Sequence, residues 1–378
     1  MTLIYAERLY GPQGLVDGGW VKVSGERIEA WGRGSSWGSV SASPHPDVVV
    51  DGILSPGFVD VHCHGGGGAN FGADPVQAET VRATHAAHGT TSIVASLVTG
   101  SLADLEEQVR VLSRLVADGR LAGIHLEGPW LAPEYKGAHA EHLLIDPLPA
   151  DIERLVQAGN GAIRLVTIAP ERPGALDAIR LLTQQGVVVA LGHTAADFDA
   201  TRLAIEAGAR GATHLFNAMP DILHRSPGPA LALWQDPKVW VELICDGVHV
   251  HPALAAQVMA TKPDTSVLIT DAMAAAAYPD GHYTLGDQDV EVRDQVARLS
   301  GTATIAGSTL TLDKAVRTAV QSGIPLSTAL KAATSNPADY LGLPDVGRIA
   351  PGMWANLVCL TNTLTVTAVM RHGQWITT

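Results

Sequence analysis

Short apolar runs alternate with helical stretches through the middle of the chain. One helix is predicted over Ala103–Ala117, where apolar residues recur at helical spacing, and another over Asp197–Ala207, where Asp197 or Asp199 is placed to cap the first turn. Strands that alternate with helices in this way predict a (β/α)₈ barrel, with a doubly wound open sheet as the alternative. The eight predicted strands are Gly57–Val61, Thr91–Ala95, Gly123–Leu126, Arg164–Ile168, Val187–Leu191, Ala212–Leu215, Trp240–Ile244 and Ser266–Ile269.

The two ends of the chain have a different pattern, in which short β-like segments are separated by turn residues. We therefore predict a small β-sandwich domain built from residues 1–51 and 346–378, and a catalytic barrel over residues 52–345. Residues 275–306 interrupt the alternation and predict a β-hairpin-like excursion from the barrel. The predicted strands of the small domain are Leu3–Arg8, Trp20–Ser24, Arg27–Trp31, Asn356–Leu360, Thr363–Arg371 and Gln374–Thr378.

Residues that can bind a metal or transfer a proton follow six of the predicted strands. Because the carboxyl ends of barrel strands share one face, we expect these side chains to meet there and form an active site. Packing alone does not explain them, since aliphatic strands need no terminal His or carboxylate and unpaired ones are costly to bury. They are His62 and His64, Glu127, His193, His214, Asp246 with His249, and Asp271.

The set Glu127, His193 and His214 has the composition of many catalytic zinc sites. Two neutral imidazoles and one carboxylate leave a coordination position open for water on a divalent ion. His62 and His64 are spaced so that both side chains lie on one face of a strand and reach one metal. That spacing is weak evidence by itself, and a pair of polar residues that orient a loop is the alternative. We treat the other histidines of the loops and helices as structural: His45, His85, His88, His282 and His372, with His251 at the surface or as a helix cap.

Composition limits the partners. The net charge is −13, aromatic residues make up 5%, and no basic run is interleaved with aromatics, so nucleic-acid binding has no support. The negative charge also argues against an anionic membrane, but it leaves room for a small phosphorylated substrate held by a local Arg and His. The three cysteines have no C-x-x-C spacing, and the first residues lack a basic region followed by an apolar one. We therefore expect the cytoplasm.

Several local strings resemble a known family. Residues 56–65, Pro-Gly-Phe-Val-Asp-Val-His-Cys-His-Gly, are similar to the first-strand signature of the amidohydrolase superfamily. Leu-Glu-Gly-Pro-Trp-Leu at 126–131, Lys-Gly-Ala-His at 136–139, Gly-His-Thr at 192–194 and Thr-His-Leu-Phe-Asn-Ala-Met at 213–219 follow in order. Asp-Gly-Val-His at 246–249, Thr-Asp-Ala-Met at 270–273, Ala-Gly-Ser at 306–308 and Ser-Asn-Pro-Ala at 335–338 complete the set. Together they resemble the N-acetylglucosamine-6-phosphate deacetylases over nearly the whole chain.

The resemblance implies a distorted (β/α)₈ barrel with a β-sandwich, a homodimer and a divalent metal ion. It places metal ligands at Glu127, His193 and His214 and the catalytic carboxylate at Asp271. Members that keep both first-strand histidines bind two metals, so His62 and His64 imply a two-metal site bridged by Glu127. Zinc, iron, manganese or cobalt fits this donor set, with one or two ions per subunit. The implied substrate contacts are His139, Asn217, Ala218, Arg225 and His249, with Arg225 reaching the phosphate from the partner subunit.

The resemblance also implies the reaction. The acetamide of N-acetyl-D-glucosamine 6-phosphate would be hydrolysed to D-glucosamine 6-phosphate and acetate, in amino-sugar catabolism or cell-wall sugar recycling. Three alternatives stay open. A deacetylase of N-acetylgalactosamine 6-phosphate differs in one hydroxyl epimer. A cyclic amidase or a purine or cytosine deaminase shares the scaffold but lacks the Glu-Gly-Pro and Asn-Ala-Met segments. A non-catalytic sugar-phosphate sensor has no use for a proton-transferring Asp271.

Overall fold

The computed structural model describes residues 1–39 and 44–376. Residues 40–43, in the predicted small domain, and the last two residues of the predicted strand Gln374–Thr378 lie outside the described residues. A short 3₁₀ helix, Ser36–Ser39, follows the third strand. The first three strands extend the predicted segments, whereas the fourth was not predicted. These strands are β1 (Thr2–Gly11), β2 (Gly14–Ser24), β3 (Arg27–Arg33) and β4 (Val48–Pro56).

The middle of the chain alternates strands and helices, as predicted. Its elements are β5 (Phe58–Cys63), β6 (Gly65–Gly66), β7 (Ala69–Asn70), α1 (Pro75–Ala87), β8 (Thr90–Val98), α2 (Leu102–Ala117), β9 (Gly123–Glu127), α3 (Pro149–Gly159), β10 (Ile163–Ile168), α4 (Ala175–Gln184), β11 (Val188–Leu191), α5 (Phe198–Ala207), β12 (Gly211–Ala212), α6 (Gly228–Gln235), β13 (Trp240–Ile244), α7 (Pro252–Thr261) and β14 (Ser266–Ile269). β5 and β8 to β14 form one eight-stranded sheet in which neighbours are parallel, while β6 and β7 form a separate two-stranded ladder. Two 3₁₀ helices, Pro133–Tyr135 and Glu141–Leu143, follow β9.

The two edges of the eight-stranded sheet meet and close the barrel. Just beyond β14, the backbone N–H of Asp271 donates to the carbonyl of His62 at 2.8 Å, and Cys63 and Ala272 form a parallel bridge. The hydroxyl of Thr270 donates to the carboxylate of Asp60 at 2.6 Å across the same seam. Closure confirms the (β/α)₈ barrel and makes the open, doubly wound alternative wrong. It also brings the ends of β5 and β14 side by side.

The helices pack as their sequences predict. On α2, Leu105, Val109 and Leu112 are buried against the sheet at helical spacing. Asp197 is the N-cap of α5, since its side chain accepts a hydrogen bond from the Ala200 N–H at 2.8 Å. His251 caps α7 in the same way through Ala253. None of the described helices combines the length and the apolar character needed to cross a lipid bilayer.

The last part of the chain contains the predicted excursion and returns to the N-terminal strands. The excursion is a three-stranded antiparallel sheet of β15 to β17 with its own small core. Three helices and three strands follow it. In order, these elements are β15 (Gly281–Leu285), β16 (Gln288–Arg293), β17 (Val296–Leu299), α8 (Leu312–Gln321), α9 (Leu326–Ala333), α10 (Ser335–Tyr340), β18 (Leu357–Leu360), β19 (Val366–Arg371) and β20 (Gln374–Ile376).

Strands from both ends of the chain form one seven-stranded sheet, in the order β20-β19-β18-β4-β1-β2-β3. The two ends join where β18 pairs antiparallel with β4, with Leu357 opposite Pro56. The sheet has its own apolar core, which includes Ile4, Val21 and Leu54. The predicted contact between the ends is therefore confirmed. The division into residues 1–51 with 346–378 and residues 52–345 stays a prediction, and β4 runs across its first boundary.

Candidate active site and metal centre

Most of the predicted site residues line a single cavity of about 450 Å³ at the carboxyl ends of the barrel strands. His62 lies beneath its floor, fully buried and in contact with the residues that line it. The barrel therefore brings together residues that are as much as 209 positions apart, from His62 to Asp271. The predicted residues that line the cavity are His64, Glu127, His139, His193, His214, Asn217, Ala218, His249 and Asp271.

The carboxylate of Glu127 is the centre of the cluster, because five imidazoles contact it. The Oε1 atom lies 3.1 Å from His214 Nε2 and 3.3 Å from His193 Nε2. The same oxygen is 3.4 Å from His62 Nε2. The Oε2 atom is 3.1 Å from His64 Nε2 and 3.4 Å from His139 Nε2. Both oxygens of Glu127 thus contact imidazoles, and the carboxylate lies between all five rings.

One group of donor atoms consists of Glu127, His193 and His214. The two Nε2 atoms are 3.0 Å apart, and each lies 3.1–3.3 Å from Glu127 Oε1. Donors at ordinary zinc distances around a tetrahedral ion are separated by about 3.3 Å. The three atoms therefore have nearly the spacing that three ligands of one divalent ion would have.

A second group consists of His62, His64, Glu127 and Asp271. Its ligand atoms lie within 4.8 Å of one another. Asp271 Oδ1 is 3.3 Å from both His62 Nε2 and His64 Nε2, and those two nitrogens are 3.1 Å apart. This spacing also suits a single cation. The first-strand histidines are therefore part of the cluster, which favours the prediction that they bind a metal over the alternative that they orient a loop.

The partners of the Nδ1 atoms decide which histidines have a lone pair at Nε2. The Nδ1 of His193 faces the carbonyl of Tyr135 at 2.9 Å, and the Nδ1 of His64 faces the carbonyl of Ser96 at 3.2 Å. A carbonyl only accepts, so each Nδ1 carries the proton and each Nε2 presents a lone pair. The Nε2 atoms of His62 and His64 lie 3.1 Å apart, a contact that a cation beside both rings would stabilise. The residues fit a bound divalent ion.

His139 has the opposite tautomer. The backbone N–H of Thr99 donates to its Nδ1 at 3.3 Å, and the Thr99 hydroxyl lies 2.9 Å from the same atom. Because Nδ1 accepts, the proton is on Nε2, which points at Glu127 and into the cavity. His139 is thus equipped to donate a hydrogen bond, whereas His193 and His64 are equipped to bind a metal.

The electrostatics of the cluster favour a cation. Burial, together with the neighbouring His139, lowers the pKa of His193 to about 4, so this ring is neutral near pH 7. Burial has the same direction of effect on His62, but the carboxylates of Glu127 and Asp271 outweigh it and raise the pKa of His62 well above its usual range. A site that attracts protons to an imidazole this strongly also attracts a divalent ion, which replaces those protons when it binds.

Four of the residues that line the cavity have backbone conformations that side chains rarely adopt. The φ angle is +47° at His193, +30° at His214, +51° at Ala218 and +49° at Asp271. A non-glycine residue in the left-handed region costs about 1 kcal/mol or more, and such residues cluster at functional sites. His193, His214 and Asp271 each lie two residues after the end of a barrel strand.

The predicted substrate contacts lie around the rim. The side-chain N–H of Asn217 donates to the carbonyl of His214 at 3.0 Å, which holds the amide beside one of the predicted metal ligands. The Nδ1 of His249 lies 2.7 Å from the carboxylate of Asp246, so the ring is held against its own turn. Arg225 is the exception, since it is exposed on the loop after β12 and does not line the cavity.

Some residues of the site were not predicted. Leu285 and Ile305, at the excursion, line the cavity opposite the histidines, and no local motif marks them. Glu242 and Ser96 hold the Nδ1 atoms of His62 and His64. Glu242 did leave a signal, because it is a carboxylate in the middle of the apolar strand Trp-Val-Glu-Leu-Ile.

A (β/α)₈ barrel whose strand ends converge on imidazoles and carboxylates defines a metal-dependent barrel hydrolase. The sequence profile of the Amidohydrolase family matches residues 53–376, and the chain therefore belongs to the amidohydrolase family.

Relatives with a narrower description are similar to this chain. An N-acetylgalactosamine-6-phosphate deacetylase of Escherichia coli O157:H7 is 38% identical over 329 residues, which cover 85% of this chain and 87% of that one. An N-acetylglucosamine-6-phosphate deacetylase of Vibrio furnissii is 33% identical over 89% of this chain and 87% of its own. A mutant N-acetyl-D-glucosamine-6-phosphate deacetylase of Mycobacterium smegmatis, solved in complex with N-acetyl-D-glucosamine 6-phosphate, is 48% identical with a TM-score of 0.95, covering 100% of this chain and 99% of that one.

The change His193→Ala tests the first donor group. It removes one of three atoms with the spacing of metal ligands. Changing a residue that only hydrogen-bonds to a ligand typically lowers metal affinity by roughly 10- to 100-fold, and we expect a larger fall here. Elemental analysis after dialysis against a weak chelator measures the loss. His282→Ala, which changes an exposed histidine of the excursion, is the control. An unchanged metal content in His193→Ala would remove His193 from the ligand set.

Proposed function

We propose that the chain hydrolyses the acetamide of N-acetyl-D-glucosamine 6-phosphate and releases acetate and D-glucosamine 6-phosphate. The observation that carries this proposal is the position of Asp271, which lies at the cavity wall 3.3 Å from two imidazoles of a metal-binding cluster. A carboxylate at a metal centre is the arrangement that amide hydrolysis needs, because one group must take a proton from water and return it to the amine. The relatives described above support the choice of substrate.

A divalent ion supplies polarisation of the acetyl carbonyl and acidification of water when it is bound. We assign Glu127, His193 and His214 to the first ion and His62, His64, Glu127 and Asp271 to a second, with zinc as the expected metal and iron, manganese or cobalt as alternatives. Asp271 accepts the proton of the attacking water. It then delivers this proton to the nitrogen of the sugar, because an unprotonated amine is a poor leaving group.

His139 supplies a hydrogen bond to the transition state. Thr99 holds its Nδ1 as an acceptor, so Nε2–H is the donor and points into the cavity. As water attacks, the acetyl oxygen becomes an oxyanion, and a preorganised donor stabilises it more than it stabilises the planar amide. Asn217, Ala218 and His249 line the same cavity and are proposed to contact the sugar.

We expect the phosphate of the substrate to be bound by a cationic side chain. Among the described residues that line the cavity, none is Lys or Arg. Arg225 projects from an exposed turn closed by the Leu223–Ser226 bridge. Ile222, Leu223 and Val248 are large apolar residues exposed by 41%, 56% and 45%, as expected of a surface that a second subunit covers. We therefore propose a homodimer in which Arg225 of each subunit binds the phosphate in the site of the other.

The cysteines indicate the cellular compartment. Cys63, Cys245 and Cys359 are buried and unpaired, which is typical of proteins in reducing compartments, and we propose the cytoplasm.

The proposed reaction is tested first by acetate release from metal-loaded protein. We expect rapid release from N-acetylglucosamine 6-phosphate and a kcat/KM about 100-fold lower for N-acetylglucosamine, since a bidentate Arg–phosphate pair contributes roughly 2–3 kcal/mol. N-acetylgalactosamine 6-phosphate is the third substrate, because a 38% identical relative is described as acting on it. A preference for that epimer would replace the proposed substrate. Equal release from the free sugar would discard the phosphate site, and no release from any of the three would point to cyclic amides or aminopurines.

The role of Asp271 is tested by Asp271→Asn. The amide has nearly the same shape but cannot accept the proton, so we expect kcat to fall by about 100- to 10,000-fold. Metal at Glu127, His193 and His214 should stay bound. Asp313→Asn is the control, since this buried aspartate lies on α8 away from the cavity. A near-normal rate for Asp271→Asn would exclude Asp271 from proton transfer.

The position of Arg225 is tested by mixing subunits. Arg225→Ala alone should reduce kcat/KM for the phosphorylated substrate and leave the free sugar unaffected. When Arg225→Ala and Asp271→Asn proteins exchange subunits, a mixed dimer contains one site with an intact Asp271 and a partner that provides Arg225. About a quarter of the wild-type sites should then be active in an equal mixture. If Arg225 acts in its own subunit, mixing restores nothing.

A further inference from the structure

Glu242 is a fully buried carboxylate inside the barrel that does not line the active-site cavity. It lies on β13 between Val241 and Leu243, which are also fully buried. Its Oε2 atom is 3.1 Å from the Nδ1 of His62, and the backbone N–H of His214 donates to the same oxygen at 3.4 Å. Glu242 thus contacts one residue of each donor group, at atoms other than the Nε2 nitrogens.

The other oxygen of Glu242 is held by Tyr340. The phenol O–H donates to Oε1 at 3.3 Å, and the ring of Tyr340 packs on Trp240 with ring centres 5.7 Å apart. Burial, together with the Glu242 carboxylate, raises the pKa of Tyr340 well above its usual value, so the hydroxyl keeps its proton. Glu242 therefore accepts hydrogen bonds on both oxygens, which is the condition for burying a carboxylate in a barrel core.

The fold makes room for this contact at Gly211. A Cβ atom on Gly211 would lie 1.9 Å from the hydroxyl of Tyr340 and 2.7 Å from the Cβ of Ala190. No side chain larger than hydrogen is compatible with the position of that hydroxyl. Three separate parts of the chain, β12, β13 and α10, are thus matched to one another so that the phenol reaches the carboxylate.

The contact with Glu242 determines the tautomer of His62. Because Glu242 can only accept from Nδ1, the proton of the neutral His62 ring is fixed on Nδ1 and the lone pair is fixed on Nε2. That Nε2 lies 3.1 Å from the Nε2 of His64 and 3.3 Å from Asp271 Oδ1. An imidazole with a carboxylate behind it is also a more basic donor and is held in one ring orientation. For packing alone, an apolar residue of similar size would avoid the free-energy cost of burying a carboxylate.

We propose that Glu242 and Tyr340 are positioning residues that orient His62 and make it a ligand of the second metal ion. This inference rests on the proposed metal-dependent function, because it assigns the ion at His62, His64, Glu127 and Asp271. Neither residue touches the substrate. Their effect is transmitted through the tautomer and the orientation of one imidazole.

The test is stepwise metal binding to the metal-free protein. Glu242→Leu removes the acceptor, Glu242→Gln keeps an acceptor oxygen but loses the charge, and Tyr340→Phe removes only the support. Equilibrium dialysis with Zn²⁺ and elemental analysis give both dissociation constants, and the visible spectrum of the Co²⁺-loaded protein reports the coordination at each step. Glu106→Gln is the matched control, because Glu106 is a buried carboxylate on α2 that pairs with Arg110 and Arg154.

We expect the second dissociation constant to rise by about 10- to 100-fold in Glu242→Leu and by less in Glu242→Gln and Tyr340→Phe. The first dissociation constant should change much less, and Glu106→Gln should bind as the wild type does. If Glu242→Leu does not fold, the other two variants carry the test. Unchanged second binding and an unchanged Co²⁺ spectrum in every folded variant would overturn the inference.

Two further outcomes separate this inference from the proposed function. If the wild-type chain binds a single ion and His62→Ala does not alter that binding, the inference is wrong while a one-metal deacetylase stands. If the variants lose the second ion as expected but the wild type releases no acetate from any sugar phosphate, the inference holds and the proposed substrate is wrong.

Discussion

The buried carboxylate of Glu127 is the constraint on which the site depends. It is 3% exposed, and five imidazoles lie within 3.4 Å of its two oxygens. A carboxylate in this environment is stable only with positive charge nearby, and neutral imidazoles provide none. The cluster is therefore complete only when cations occupy the spaces between the donors. Without a metal, burial is outweighed by the carboxylates of Glu127 and Asp271, which raise the pKa of His62 and His214, so that these imidazoles take up protons in place of the cations.

The barrel is the means by which this cluster is assembled. The donors come from the ends of five strands, with His62 and His64 both at the end of β5, and the parallel sheet places all strand ends on one face. The closing seam adds the last component, since the hydrogen bond from Asp271 to the His62 carbonyl places the proposed proton acceptor beside the second donor group. The left-handed backbone at His193, His214, Ala218 and Asp271 is a local conformational cost at the site. Packing of the surrounding barrel compensates for it.

Much of the fold could be predicted from the sequence because its signals are local. The eight barrel strands were found from apolar runs, and Asp197 was found as a cap from its position before an apolar helix. β4 was missed because Val48–Pro56 contains Asp51 and Gly52 and ends at Pro56, so it does not have the usual appearance of a strand. It is stabilised by β1 on one side and β18 on the other, and pairing over three hundred residues leaves no local signal.

The histidines of the site were predictable, but their tautomers were not. His64, His139 and His193 all follow strands or lie in loops, and the sequence around them does not indicate which ring nitrogen carries the proton. Their chemistry differs because the Nδ1 of His64 meets a carbonyl, that of His193 meets another, and that of His139 meets a backbone N–H. These partners are backbone groups of segments that are distant in the sequence, so the residue types of those segments do not reveal the contacts. Whether Nε2 of a histidine can bind a metal or donate a hydrogen bond depends here on the group that contacts Nδ1, and only the three-dimensional structure contains that information.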